Sequence, residues 1–260
     1  MGFFSRFFRK LFEPTPDKKG AIGEYEIALA IWKEIRRGLK GNYLQNLYLP
    51  KGDGSTSEID VLLISTKGLF LIESKNFAGY IFGDDRRKEW TVVLYAGKNW
   101  LGQKMTEKHK FYNPIWQNRS HERTLKSMIG PDIPVFPVVV FSDRGNLMNV
   151  QYDANKAQIL QTNQLRSYFS NVRRCCPDLL SVFEVQRIYQ TLFPYTQVGD
   201  IQKQAHIAQV FEQQYQPQKC PWCSGNLVLR TAKRGLHPGQ QFWGCSNYPR
   251  CLYTRDLEQH

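Results

Sequence analysis

The 260-residue chain has no apolar run near the ~18–20 residues needed to span a bilayer as a helix. Met1 to Phe12 lack the long apolar stretch and small-residue cleavage site of a secretory signal. No internal repeat is visible. Acid is scarce: 23 Asp and Glu face 35 Lys and Arg, for a formal charge of +12. That surplus says little about fold but favours a polyanionic partner, either nucleic acid or an acidic membrane face. Cysteine is sparse and unevenly placed. Cys220, Cys223, Cys245 and Cys251 crowd the end of the chain, while Cys175 and Cys176 are adjacent in a predicted helix and expected to be buried or inert. Clustered thiols in a chain without an export signal point to metal rather than disulfides. The expected location is cytoplasmic.

What is present begins with Phe4, Phe7, Phe8 and Leu11 on one helical face and Ser5, Arg6, Arg9 and Lys10 on much of the rest. This is a short basic amphipathic helix, stopped by Pro14 and Pro16. It leaves two uses open: contact of residues 1–12 with the inner membrane face or a protein partner, or docking on the protein's own core. A helix is predicted from Asp17 to about Arg37, with Ile22, Ile27, Ala30, Ile31 and Ile35 apolar. Strands follow at Tyr43 to Leu49, Ile59 to Ile64, Leu69 to Lys75 and Trp90 to Tyr95. A helix over Asn113 to Ile129 starts at Asn113 as cap with Pro114 in its first turn. Val135 to Phe141 reads as a strand buried on both faces. Helices are expected at Thr162 to Val172, Pro177 to Leu192 and Asp200 to Tyr215. The order predicts an α/β fold, a mixed sheet flanked by helices, then a helical segment and a small metal module. The expected boundaries are 1–16, 17–145, 146–216 and 217–260.

Two short strands carry the chemistry. Ser65-Thr66-Lys67-Gly68 reads as a tight turn between them. If Thr66 and Lys67 form the loop, Asp60 falls opposite Glu73, and alternation puts Lys75 on the face of Glu73. Charges on an otherwise apolar hairpin need partners. A salt bridge would leave one negative charge over, and Mg²⁺ (or Mn²⁺) compensates it with hard oxygen ligands. Glu58 is expected to face solvent or open the strand, and His121 to lie on the surface.

Here the sequence resembles the nuclease-related domain, NERD, a branch of the PD-(D/E)xK restriction-endonuclease-like superfamily. The resemblance spans about Lys18 to Phe141. It rests on Gly20-Ala21-Ile22-Gly23-Glu24, Glu58-Ile59-Asp60, Glu73-Ser74-Lys75-Asn76, Gly79 and Asn113-Pro114-Ile115-Trp116-Gln117-Asn118. It implies a restriction-endonuclease-like sheet, Asp60 and Glu73 as Mg²⁺ ligands, Glu24 completing the acidic cluster, Lys75 as catalytic lysine and Gln117 reaching the site. Ser74 stands where the family usually has an apolar residue, and its side chain should face away from the metal. Related exonucleases carry Gln-x-x-x-Tyr where this chain has Gln117 and His121.

Cys220-Pro221-Trp222-Cys223 and Cys245 with Cys251 supply two knuckles of a tetrahedral Zn²⁺ site. The pattern resembles the four-cysteine ribbon at the C-terminus of bacterial type I topoisomerases, through Leu227, Arg230, Gly239, Phe242-Trp243-Gly244-Cys245-Ser246 and Tyr248-Pro249. That implies binding of single-stranded DNA. Trp222, Trp243 and Tyr248 are available to stack bases, and Arg230, Lys233, Arg234 and Arg250 to follow phosphates. The reading is a metal-dependent DNA nuclease with a DNA-gripping ribbon; the alternative is a non-catalytic DNA-binding or scaffold protein that keeps the fold.

Overall fold

In a computed structural model the described residues are 22–98, 103–197, 219–231 and 241–256. The amphipathic segment 1–12, the expected helix 200–215, and Lys233 and Arg234 lie outside them. The chain divides into two units, Met1–Val198 and Gly199–His260.

The first unit is built on a five-stranded sheet in the order β1-β2-β3-β7-β9. Its strands are β1 (Gly41–Pro50), β2 (Thr56–Ser65), β3 (Gly68–Lys75), β7 (Val135–Phe141) and β9 (Gln158–Gln161). The first three run antiparallel; β3, β7 and β9 are parallel neighbours. β2 and β3 are apolar on both sides because helices cover both sides. On one face, Val61, Leu63, Phe70 and Ile72 pack against α1 (Ile22–Arg36) and α3 (Leu165–Cys175). On the other, Leu62, Ile64, Leu69 and Leu71 meet α2 (Pro114–Ile129) and α4 (Val182–Leu192). The mixed sheet flanked by helices is therefore as expected. The segment expected as a helical extension supplies β9, α3 and α4 to these same layers.

A second sheet, in the order β6-β5-β4-β8, consists of β4 (Gly79–Asp84), β5 (Glu89–Lys98), β6 (Lys104–Tyr112) and β8 (Gly145–Gln151). Only part of β5 was expected. Its inner face (Ile81, Trp90, Val92) packs on Val139, Phe141 and Ile159 of the first sheet. Gly79 sits at φ 96°, and a side chain there would collide with the Val93 carbonyl, which explains the glycine. β7 departs from expectation: only Val138 to Phe141 are buried, and Phe136 is 39% exposed. α4 starts later than expected because Ser181 and Glu184 form a capping box. Cys175 is exposed and Cys176 half-buried.

One irregularity shapes the site. Gln45 pairs with Val61 and Leu47 with Ile59, but Asn46 and Asp60 between them do not pair. Asn46 is exposed and left-handed, at φ 51°. Both strands change phase there: Leu44 and Leu47, and likewise Ile59 and Leu62, join the same core. Asparagine tolerates this conformation; a β-branched residue does not. Asn46→Val is therefore expected to cost about 1–2 kcal/mol, read as a lower urea midpoint, whereas Asn46→Gly should be close to neutral. Equal midpoints for the two variants would remove the role given to this residue.

Candidate active site and metal centre

The hairpin has the expected two-residue loop, with Ser65 facing Gly68 and Val61 facing Ile72. The ladder stops there, one step short of Asp60 and Glu73. In its place the Asp60 carboxylate accepts the Ser74 backbone N–H at 2.7 Å. Asp60 thus reaches sideways along the sheet toward β3, leaving its second oxygen for another partner. The Ser74 side chain points the other way, toward Gly23; a Cβ on Gly23 would lie 2.7 Å from the Ser74 hydroxyl. That glycine lets the first turn of α1 approach β3 and brings Glu24 near the acids.

Glu73 is buried, and its Oε1 accepts from the Lys75 ammonium at 2.6 Å. Lys75 also donates to Gln117 Oε1 at 3.1 Å. Gln117 comes from α2, held by two buried amides. Asn113 caps the helix, accepting from Ile115 and Trp116, and donates to the Arg87 carbonyl at 2.7 Å. Asn118 donates to the carbonyls of Leu71 and Val138, pinning α2 across β3 and β7.

His121, expected on the surface, is buried at 9% exposure. Its Nδ1 lies 2.5 Å from the Ser57 hydroxyl, and its Nε2, with no hydrogen-bond partner, lies 3.6 Å from Glu73 Oε2. Its four-residue spacing from Gln117 was the signal: both lie on one face of α2. Glu58, expected to face solvent or open the strand, is half-buried, accepts from Tyr48 at 2.7 Å and lies near enough to Glu24 for its charge to act there.

The charges do not balance. Burial and the neighbouring Glu73 charge push the Asp60 carboxyl well above its ordinary range. Burial acts on Glu73 in the same direction, but the Lys75 charge and His121 outweigh it and hold that carboxyl below its ordinary value. Burial, then Glu58 and Glu73, raise Glu24. Against burial, Glu73 and Asp60 keep Lys75 charged. Asp60 and Glu73 share one ammonium, with the Glu24 charge close to Glu73, and hard oxygens with surplus negative charge suit a divalent cation such as Mg²⁺.

The second unit carries a three-stranded antiparallel sheet: β10 (Leu227–Thr231), β11 (Gln241–Cys245) and β12 (Thr254–Asp256). Cys220, Cys223, Cys245 and Cys251 are, among the described residues, the one group of three or more metal-ligating side chains whose ligand atoms all lie within 4.8 Å. Their sulfurs approach to 3.7 Å (Cys220 and Cys251) and 3.3 Å (Cys223 and Cys245). Tetrahedral Zn–S bonds of about 2.3 Å require roughly 3.8 Å between sulfurs, so the set fits Zn²⁺. Asn247 directs its backbone N–H at Cys245 and its amide at Cys223. Trp222 and Tyr248 are exposed, as is Arg250. Trp243 is half-buried on the cysteine core, and Arg230 lies over the Tyr248 ring at 5.4 Å and donates to the Cys245 carbonyl.

A mixed α/β unit with an acid–acid–lysine hairpin, joined to a four-cysteine ribbon, is the class these features define. Residues 19–142 match the family model of the nuclease-related domain, and residues 217–260 that of the topoisomerase DNA-binding C4 zinc finger. The chain carries a NERD domain and a topoisomerase-type zinc ribbon. It is similar to an uncharacterised protein of Bacillus anthracis, 26% identical over 182 residues, 68% of this chain and 77% of that one. The ribbon is similar to part of DNA topoisomerase 1 of Archaeoglobus fulgidus, 50% identical over 42 residues, covering 16% of this chain and 6% of the topoisomerase. An uncharacterised protein of Methanocaldococcus jannaschii is 47% identical over 36 residues, covering 14% of this chain and 10% of that protein. No solved structure matches the chain. Both domain types support DNA binding. Among the described residues no helix is long and apolar enough to cross a membrane.

Proposed function

We propose that this protein is a metal-dependent nuclease that hydrolyses phosphodiester bonds of DNA, with the ribbon holding single-stranded DNA. The observation that carries this is the meeting of Asp60, Glu73, Lys75 and Gln117 at one end of a hairpin, with more carboxylate than the single ammonium balances. Asp60 and Glu73 would hold Mg²⁺ or Mn²⁺, with Glu24 beside them. When bound, the ion supplies Lewis-acid polarisation of the phosphate and a more acidic water.

Lys75 presents its ammonium to charge developing on the phosphate, and Gln117 fixes the direction of that ammonium by accepting one of its protons. The Ser74 N–H fixes the Asp60 carboxylate, so the acid is aimed before substrate arrives. His121 faces the second oxygen of Glu73 from the helix side at 3.6 Å, and Ser57 meets its other ring nitrogen. The ribbon, tethered to the first unit, would raise the local concentration of DNA at this site.

Labelled single-stranded DNA, duplex DNA and RNA, incubated with Mg²⁺ or Mn²⁺, test the reading. Wild type is expected to cut DNA, and Lys75→Ala and Glu73→Gln to lose about 100-fold or more. His121→Ala should weaken cleavage with a smaller effect than either. The closed bond between Lys75 and Glu73 is also what a purely structural ion pair would show. Equal cleavage by wild type and variants, or none by any, decides for the non-catalytic DNA-binding reading.

A further inference from the structure

The second sheet has a face that nothing in the mechanism uses. Alternation along β4 turns Ile81 inward and leaves Tyr80 and Phe82 outward, 49% and 39% exposed. Strand register then lays out two matching rows. Asn146, Tyr80, Val93 and Lys108 stand side by side across β8, β4, β5 and β6. Asn149, Phe82, Thr91 and Lys110 form the next row. The asparagines and lysines are exposed, and the only ion pair in either row joins Lys110 to Glu89 at 3.3 Å, between exposed groups. Each row thus holds an amide, an aromatic ring, a small β-branched residue and a cation. Strands about 4.8 Å apart put each lysine about 10 Å from its ring.

We infer that this open sheet face is a binding platform for single-stranded nucleic acid, separate from the zinc ribbon. Bases stack on Tyr80 and Phe82, the asparagine amides meet base edges, and Lys108 and Lys110 take the phosphates. Charge complementarity selects this occupant: the cations lie along one side of an aromatic strip, as a polyanion with stackable bases requires. The β4–β5 turn adds Arg87 and Lys88 at one end of the strip, with Arg86 beside them paired to Asp84. Three of its four strands, β4, β5 and β6, are inserted between the strand that ends in Lys75 and the helix that bears Gln117, so a strand lying on the sheet belongs to the same unit as the acids. A duplex cannot offer its base faces to these rings, so the platform selects unpaired strands.

This rests on the reading of the chain as a DNA-handling protein, but not on cleavage. Binding of a fluorescein-labelled oligothymidylate to the full zinc-loaded chain is measured by anisotropy in magnesium-free buffer. The paired change Tyr80→Ala with Phe82→Ala is expected to weaken binding about tenfold or more, at one stack per ring. Lys108→Gln and Lys110→Gln should each lower the salt slope by about 0.7. All four positions are at the surface, so melting temperatures should match wild type. A ribbon variant, Trp222→Ala with Arg250→Ala, should lose affinity independently, and combining it with the platform changes should lose both increments. Wild-type affinity and salt slope in the platform variants would overturn the inference, as would a dimer that these changes dissociate, because the face then binds a second copy. Cleavage failing while these losses appear would count against the nuclease reading alone.

Discussion

Asp60→Asn is expected to abolish magnesium-supported cleavage and, in magnesium-free buffer at neutral pH, to raise the melting temperature of the protein. The two effects share one cause. Asp60 lies beside Glu73 with a single ammonium between them, and burial together with the Glu73 charge raises its carboxyl. A raised folded-state value means that the favourable contribution is complete below the unfolded carboxylate range and is lost as pH climbs through the folded value. Metal-free wild type therefore weakens toward neutral pH. Asparagine keeps an oxygen for the Ser74 N–H and removes the charge. A gain of about 2–4 °C is expected, roughly 1 kcal/mol in a unit of this size, shrinking to nothing on the acid side. Added magnesium should raise wild type by mass action and leave the variant unmoved. Melting curves for the two proteins across pH, with and without magnesium, make the comparison. Coincident curves at every pH would show that this aspartate is not under the strain described. Lys75→Met should behave in the opposite way, because it leaves buried Glu73 without its partner.

Removing zinc should unfold the ribbon and leave the first unit intact. The core of the second unit is Cys220, Cys245, Cys251 and Leu227, with Trp243 and Tyr253 against them and Cys223 exposed beside it. So small a core does not hold three strands, and structural zinc sites of this kind supply about 10–16 kcal/mol. Burial pushes the Cys245 thiol up to about 12, whereas hydrogen bonding to the Gly225 backbone brings Cys223 down to about 6, so without metal Cys245 stays protonated beside a Cys223 that is not. A strong chelator, or Cys223→Ser, is expected to release the ion. The edge-on contact of Trp222 with Tyr253 at 5.4 Å should break, and Trp222 emission should change. Affinity for oligothymidylate should fall by about tenfold or more as a stacking residue is lost. The melting transition of the first unit should stay in place. Retained affinity after complete zinc release would deny the ribbon its part in binding.

Much of this was legible in the residues. The tight turn at Thr66 and Lys67 set the hairpin register, and that register placed Asp60 by Glu73. The cysteine spacing named its metal. Three things were hidden, each for a physical reason. Simple alternation would put Ile59 and Leu62 on opposite faces of β2, whereas the unpaired step at Asn46 and Asp60 brings both into one core; a polar Gln45-Asn46 inside an apolar strand was the trace. β6, Lys-Met-Thr-Glu-Lys-His-Lys-Phe-Tyr, pairs along one edge of β5 and bears mostly exposed polar side chains, so it lacks the apolar rhythm that marks a strand. Glu34 gave no sign of its burial, because its partners Arg37 and Arg173 come from a neighbouring turn and a helix far along the chain.

The turn of the active hairpin is held from a distance. The Thr66 carbonyl accepts the N–H groups of Leu179 and Leu180, and its hydroxyl donates to Asp178, 112 residues later. Lys67 meets the same carboxylate at 2.9 Å. On a ribosome, the acids and the lysine emerge long before the clasp that fastens their turn. A growing chain therefore lays out its cutting edge early and tightens it late, when the last helices of that unit have been made.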